Sequence, residues 1–172
     1  MKIGVISDTH DQIINTEKAI QIFNNEAVEL VVHCGDWISP FTLELYQELK
    51  APIKGVFGNN DGETFRLTTL IEKFDVDITL EERFLEVNQD DRVIAVFHGD
   101  YKEITDALVS CGNYDAVFHG HFHRRVLETV GKTLSLNPGS MFDLDSGGLE
   151  EASVAIYDSK TNKAEHIFLD KQ

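Results

Sequence analysis

Three histidines lie within six residues in the segment Phe118-His119-Gly120-His121-Phe122-His123. Imidazole nitrogens are common ligands of transition metals, so this spacing could build part of a metal site. The segment alone does not decide this, because histidines also pack at strand ends. Its meaning depends on whether other strand ends supply carboxylates and amides to complete a site.

Four further polar segments each follow a short apolar run that is typical of a buried strand. In α/β sheets, ligands bind outside the carboxyl ends of the strands, so we expect these segments to meet the histidine segment at one site. The four segments are Ser7-Asp8-Thr9-His10, Gly35-Asp36, Gly58-Asn59-Asn60-Asp61 and His98-Gly99-Asp100.

The spacing and the types of these side chains favour a metal centre. Asp8 and His10 are two residues apart, as are His121 and His123, so each pair points to one side of an extended segment. The set combines imidazole, carboxylate and amide oxygen without thiolate, which suits Mn²⁺, Fe, Co²⁺, Ni²⁺ or Zn²⁺. Seven such side chains are too many for one ion with an open position, and they fit two ions that share a carboxylate.

Runs rich in β-branched residues predict the strands that position these segments. Lys2–Ser7, Leu30–Cys34 and Ile53–Phe57 alternate with helical patterns, which predicts βαβ units and a parallel sheet. Short runs separated by turns in the second half predict antiparallel hairpins. They are Phe84–Val87, Arg92–Phe97, Ala116–His119, Val126–Val130, Thr133–Leu136, Ser153–Tyr157 and Glu165–Leu169.

Four apolar stripes with helical spacing predict helices whose stripes face the core. One helix is predicted to begin at Ser39-Pro40, an N-cap followed by proline at the first helical position, with Phe41 and Leu45 on one face. The fold class is therefore α/β, with two packed mixed β-sheets flanked by helices. The other stripes are Thr16, Ala19, Ile20 and Phe23; Leu67, Leu70, Ile71 and Phe74; and Ile104, Ala107, Leu108 and Cys111.

Length and charge indicate how many domains the chain forms and which partners it is expected to lack. A chain of 172 residues predicts one domain, spanning residues 1–172. The net charge of −15 repels a polyphosphate backbone, which argues against a long nucleic acid as partner.

No signal-peptide pattern or membrane-spanning apolar run is present, so we expect a soluble, cytoplasmic protein without a membrane partner. Cys34 and Cys111 form no CxxC motif and agree with a reducing compartment.

The five segments, read in order as DTH, GD, GNND, HG and GHFH, resemble the signature blocks of the calcineurin-like metallophosphoesterases. Asn137-Pro138-Gly139-Ser140 resembles the small single-domain archaeal and bacterial phosphodiesterase branch of that superfamily. The resemblance runs from Met1 to about Ser140. It implies a four-layer α-β-β-α sandwich and metal-dependent hydrolysis of a small phosphodiester.

The resemblance also implies a ligand assignment for two divalent transition-metal ions. Manganese is the preferred metal for both, with nickel, iron, cobalt or zinc as alternatives. Asp36 would bridge the two ions. His119 and His33 are then expected to pack rather than bind metal, and His166 to lie at the surface or pack. The first ion would take Asp8, His10, Asp36 and His123, and the second Asp36, Asn59, His98 and His121.

Two residues depart from the family pattern. Asn60 stands where many members have a histidine, and an amide cannot act as a general acid, although it can bind a phosphate oxygen. Asp100 stands where related sequences often have another histidine. We expect catalytic roles for Asn60, Asp61 and His98, and substrate contacts from Asn60, Asp100 and Arg124.

Two other functions compete with a phosphodiesterase. One is a non-catalytic scaffold on the same fold, as in the retromer subunit, which we disfavour because all seven candidate ligands are present. The other is a phosphomonoesterase or nucleotide pyrophosphohydrolase, for which the sequence has no base-stacking or arginine-clamp signature. The oligomeric state is open, with a homodimer as one alternative.

Overall fold

The computed structural model describes residues 1–169, which form two mixed β-sheets. In the first sheet, β1 to β4 are parallel, β10 is antiparallel to β1, and β11 is antiparallel to β10. The spatial order is β11-β10-β1-β2-β3-β4. The strands are β1 (Lys2–Ile6), β2 (Leu30–His33), β3 (Ile53–Val56), β4 (Ile78–Glu81), β10 (Ser153–Asp158) and β11 (Lys163–Phe168).

The second sheet has the order β5-β6-β7-β9-β8. Its central strands β6, β7 and β9 are parallel, and β5 and β8 are antiparallel edge strands. Predicted hairpins therefore exist at β5-β6, β8-β9 and β10-β11, while the interior of this sheet is parallel, so the sheet is mixed as predicted. Its strands are β5 (Phe84–Gln89), β6 (Arg92–Phe97), β7 (Ala116–Phe118), β8 (Val126–Val130) and β9 (Thr133–Asn137).

Alternation of side chains along the strands produces four layers. In β1, Ile3 and Val5 point into the core between the two sheets, while Ile6 points toward the helices on the other face. The α-helices are α1 (Ile13–Asn25) and α2 (Thr64–Phe74) on the first sheet and α3 (Lys102–Ser110) on the second. The predicted fold class is confirmed. Within residues 1–169, no helix is long and apolar enough to cross a membrane.

Two predicted helical faces are wrong. The segment Pro40–Glu48 is a 3₁₀ helix with three residues per turn. It buries Pro40, Leu43 and Tyr46 and leaves Phe41 exposed. In α3, Thr105 and Val109 are buried whereas Ile104 is 46% exposed, because the helix covers only a small cluster that includes Ala95 and Val117.

Strand β4 was not predicted from the sequence. Its four residues, ITLE, are short, flanked by acidic residues, and buried at only one position. Parallel pairing with β3 places the carboxyl end of β4 on the same side of the sheet as the loop that contains Asn59.

Candidate metal centre

The predicted ligands lie at the carboxyl ends of strands from both sheets. Strands β1, β2 and β3 of the first sheet lead to Asp8, Asp36 and Asn59, and β6 and β7 of the second lead to His98 and His121. Backbone hydrogen bonds join the loops: Asp8 N–H donates to Gly35 O at 2.9 Å, and Gly120 N–H donates to His98 O at 2.7 Å. Between the sheets, His98 Nδ1 donates to Cys34 O at 2.8 Å and His121 N–H donates to Asp8 Oδ2 at 2.9 Å, so the five segments meet at one edge.

Glycine is required at two points of this edge. A Cβ on Gly58 would collide with Asp36 Oδ1, and one on Gly120 would collide with Ser7 Oγ. The absent side chains let the β3 and β7 loops approach the carboxylates that follow β2 and β1.

Five of the seven candidate ligands have a left-handed backbone, which is uncommon outside glycine. Each such residue costs about 1–3 kcal/mol and persists only where the surroundings hold it, a pattern concentrated at functional sites. The five φ angles are 53° for Asp8, 43° for His10, 60° for Asp36, 69° for His121 and 53° for His123.

One half of the cluster combines Asp8, His10, Asp36 and His123. The Nε2 atoms of His10 and His123 are 3.1 Å apart, and His123 Nε2 lies 3.4 Å from Asp8 Oδ1. The ligand atoms of Asp8, His10 and His123 all lie within 4.8 Å of one another. These distances suit one shared cation.

The other half combines Asp36, Asn59, His98 and His121. Asn59 Oδ1 lies 3.0 Å from His98 Nε2 and 2.9 Å from His121 Nδ1. Asp36 Oδ2 joins the halves, at 3.4 Å from His10 Nε2 and 3.5 Å from His98 Nε2.

Unpaired acceptors support cation binding in both halves. Asp8 Oδ1 is buried and has no hydrogen-bond partner within residues 1–169. His98 Nδ1 donates to the Cys34 carbonyl at 2.8 Å, which leaves a neutral His98 with its Nε2 lone pair facing Asn59 Oδ1. Facing lone pairs repel each other, and a proton or a metal ion between them relieves the repulsion. The donor set therefore fits divalent transition metals.

The ionisation of the two carboxylates agrees with this electrostatic picture. Burial alone would raise the pKa of Asp8, but His10 and His123 outweigh it and hold the pKa well below its usual range. Burial is likewise outweighed at Asp36, where His98 and Asn60 lower the pKa to about 2. Both side chains are thus anionic at neutral pH.

A model of the calcineurin-like phosphoesterase superfamily domain matches residues 1–162. The chain belongs to the calcineurin-like phosphoesterase superfamily. It is 41% identical over 139 residues to a phosphodiesterase of Methanocaldococcus jannaschii, an alignment that covers 81% of this chain and 83% of the relative.

Solved structures show the same phosphoesterase fold. A structure described as a novel archaeal phosphodiesterase is 37% identical, has a TM-score of 0.88, and is matched over 98% of this chain and 100% of its own. The phosphoesterase YfcE of E. coli is 19% identical, with a TM-score of 0.69 and coverage of 99% and 100%. Vps29 of Entamoeba histolytica, solved with zinc, is 15% identical, with a TM-score of 0.64 and coverage of 99% and 100%. The last two show the fold alone.

The two residues that follow Asn59 have different contacts in this phosphoesterase. Asn60 donates to both oxygens of Asp36, from its backbone N–H at 2.9 Å and from Nδ2 at 2.8 Å. Asp61 is buried and accepts from the backbone N–H groups of Asp36, Ile38 and Gly58. Asn60 therefore orients a candidate ligand, and Asp61 fixes the β2 and β3 loops relative to each other.

Arg83 is a site residue that the sequence analysis missed. It lies between β4 and β5, where its guanidinium pairs with Asp100 and donates to Gly58 O at 3.3 Å. The charge of Asp100 is therefore offset, although its buried Oδ1 has no hydrogen-bond partner among the residues that the structure describes. Arg83 has no motif around it and is distant in sequence from both partners, so only the fold brings them together.

Phe142, just beyond the NPGS segment, was also missed. Its ring stacks on His123 at a centroid distance of 5.7 Å and lies 5.0 Å from the ring of His10.

Arg124 is exposed, and the structure gives it no hydrogen bond or ion pair with any of residues 1–169. A contact of Arg124 with substrate stays a prediction, with a solvated residue before β8 as the alternative.

The remaining histidines have local partners. His119 Nε2 lies 3.0 Å from Ser135 Oγ, and burial lowers the pKa of His119 to about 4. His33 stacks on Trp37 at 3.6 Å, and burial lowers its pKa to about 3. His166 Nε2 donates to Asn137 O at 2.7 Å. All three pack outside the candidate ligand set.

Proposed function

We propose that this phosphoesterase hydrolyses a small phosphodiester with two divalent transition-metal ions, and that manganese is the preferred metal. The position of Asp36 Oδ2 between His10 Nε2 and His98 Nε2 carries the proposal. The identity to a named phosphodiesterase supports the same activity. The first ion would be held by Asp8, His10, Asp36 and His123, and the second by Asp36, Asn59, His98 and His121.

Bound ions of this kind supply a hydroxide nucleophile and offset charge on the phosphoryl oxygens. The chain's own residues orient the ligands and the substrate. Asn60 holds Asp36 with one Nδ2 hydrogen, and its other Nδ2 hydrogen can donate to a phosphoryl oxygen, since the side chain is exposed. His98 keeps its ring direction through Cys34 O.

An amide at position 60 cannot protonate a leaving oxygen. General-acid help is worth about 10²–10⁴-fold, so esters with stable leaving anions, such as aryl esters, should react best. Diesters also carry less negative charge than monoesters, which suits an acidic chain with a net charge of −15.

The test compares metal-free protein with protein reloaded with Mn²⁺ on bis(4-nitrophenyl) phosphate, 4-nitrophenyl phosphate and a nucleoside triphosphate. We expect hydrolysis only after reloading, and fastest for the diester. Faster turnover of the monoester or of the triphosphate would favour the alternative esterase functions. Inactivity on all three substrates, after reloading with Mn²⁺ and in turn with nickel, iron, cobalt and zinc, would favour a non-catalytic scaffold.

The single domain of residues 1–172, the cytoplasmic location and the lack of a long nucleic acid partner stay predictions from the sequence. A homodimer stays one alternative for the oligomeric state.

A further inference from the structure

A cavity of about 570 Å³ opens beside the candidate metal centre, at the carboxyl ends of β3 and β4. Gly58 lines it and directly precedes the candidate ligand Asn59. Arg83 also lines it, and its guanidinium contacts Gly58 O and Asp100. Asp61 lines the cavity as well and accepts from the backbone N–H of the candidate ligand Asp36 at 3.0 Å, so two residues of the cavity wall are directly next to candidate ligands.

The walls of the cavity suit an apolar or aromatic group. Phe57 and Leu80 contribute buried and half-buried apolar surface. Phe65, in the first turn of α2, lies at the cavity with 81% of its surface exposed. An aromatic ring this exposed offers a face on which a planar group can stack, and the volume accommodates a ring system as large as a nucleoside.

The charges at the cavity disfavour an anion. Glu81 and Glu82 line it, and neither makes an ion pair within residues 1–169, while the charge of Arg83 is offset by Asp100. A departing ester oxygen develops negative charge, so this cavity is a poor place for a leaving group. It is equally poor for the phosphate substituent of a nucleotide anhydride. A neutral organic group that stays on the phosphorus is compatible with it.

We propose that this cavity binds the retained ester group of the phosphodiester and selects a neutral aromatic or otherwise bulky apolar group over a small alkyl group. The inference rests on the proposed function. It makes Phe65 a specificity-determining residue and defines the substrate class as diesters with at least one large, uncharged organic substituent.

The test uses two diesters with the same leaving group and different retained groups: bis(4-nitrophenyl) phosphate and methyl 4-nitrophenyl phosphate. Phe65→Ala removes the exposed ring, and Thr68→Trp fills the cavity from the next turn of α2. For each variant we expect the kcat/KM ratio of the bis-aryl to the methyl ester to fall about five- to tenfold, since aromatic contacts of this kind contribute on that scale. Phe168→Ala removes an exposed ring in β11 and should keep the parental ratio.

Equal losses on both esters would overturn the inference, because the cavity would then act on something other than the retained group. Parental ratios in both variants would overturn it as well. In either case, parent protein that hydrolyses the diesters with Mn²⁺ still upholds the proposed function. Parent protein inactive on both esters would overturn the proposed function itself.

Discussion

Asn60 contacts both oxygens of Asp36, at 2.9 Å through its backbone N–H and at 2.8 Å through Nδ2. Many superfamily members have a histidine at the position of Asn60. Here Asn60 instead donates two hydrogen bonds to Asp36, the carboxylate between the two halves of the candidate metal centre. Its first role is to hold Asp36 in one orientation.

Asn60→Ala should therefore weaken metal binding without unfolding the chain. The variant keeps the backbone donor and loses the Nδ2 donor, and loss of such a supporting contact lowers metal affinity about 10–100-fold. Competition titration with a chelator measures it. Asn88→Ala, which removes an exposed amide that donates to Glu86, is the matched control. Equal affinity in Asn60→Ala and the parent would mean that the side chain does not orient Asp36.

The Arg83–Asp100 pair should contribute to stability through coupling. The side chain of Asp100 is 10% exposed and that of Arg83 is 42% exposed. Arg83→Met therefore leaves the nearly buried charge of Asp100 without a partner, and we expect it to lower the free energy of unfolding by roughly 1–3 kcal/mol. Arg83→Met with Asp100→Asn should cost less than the sum of the single changes. Urea unfolding of the four proteins gives the coupling free energy.

The exposed pair Arg66–Glu63 serves as the control for that cycle, because an exposed pair should couple by only about 0.2–0.5 kcal/mol. Additive effects of the Arg83 and Asp100 changes would show that the contact is not energetically important.

Asp115 should make stability depend on pH. The Val93 N–H bond, followed by the smaller effect of Arg92, lowers the pKa of Asp115 against the opposing effect of burial. A lowered folded-state pKa adds stability above the unfolded value of about 3.9 and loses it as the pH falls through the folded value.

Asp115→Asn should thus cost roughly 1–2 kcal/mol at pH 7, and the cost should shrink below about pH 4. Urea unfolding of metal-free protein across this range measures it, with Asp91→Asn in the β5-β6 turn as the control. A cost that stays constant with pH would exclude the charge of Asp115 as its source.

The sequence predicted which strand-end segments lie together better than it predicted the helical faces. Asp8, His10 and Asp36 follow strands whose apolar runs are unambiguous, and parallel pairing brings their ends together. Ile104 was placed on the wrong face because helical spacing alone does not show which side of α3 meets a sheet. Strand β4 gave too weak a pattern, since pairing with β3 rather than its own composition makes it a strand. The position of Arg83 follows from β4, so the sequence could not predict that Arg83 lies at the site.

Metal content of purified, reloaded protein tests the central claim most directly. The account predicts about two ions per chain in the parent, near-complete loss of both in Asp36→Asn, and loss of about one in His123→Ala. Asp75→Asn, at the exposed end of α2, should keep the parental content. Full metal content in Asp36→Asn would contradict the assignment of Asp36 as the carboxylate shared by two ions.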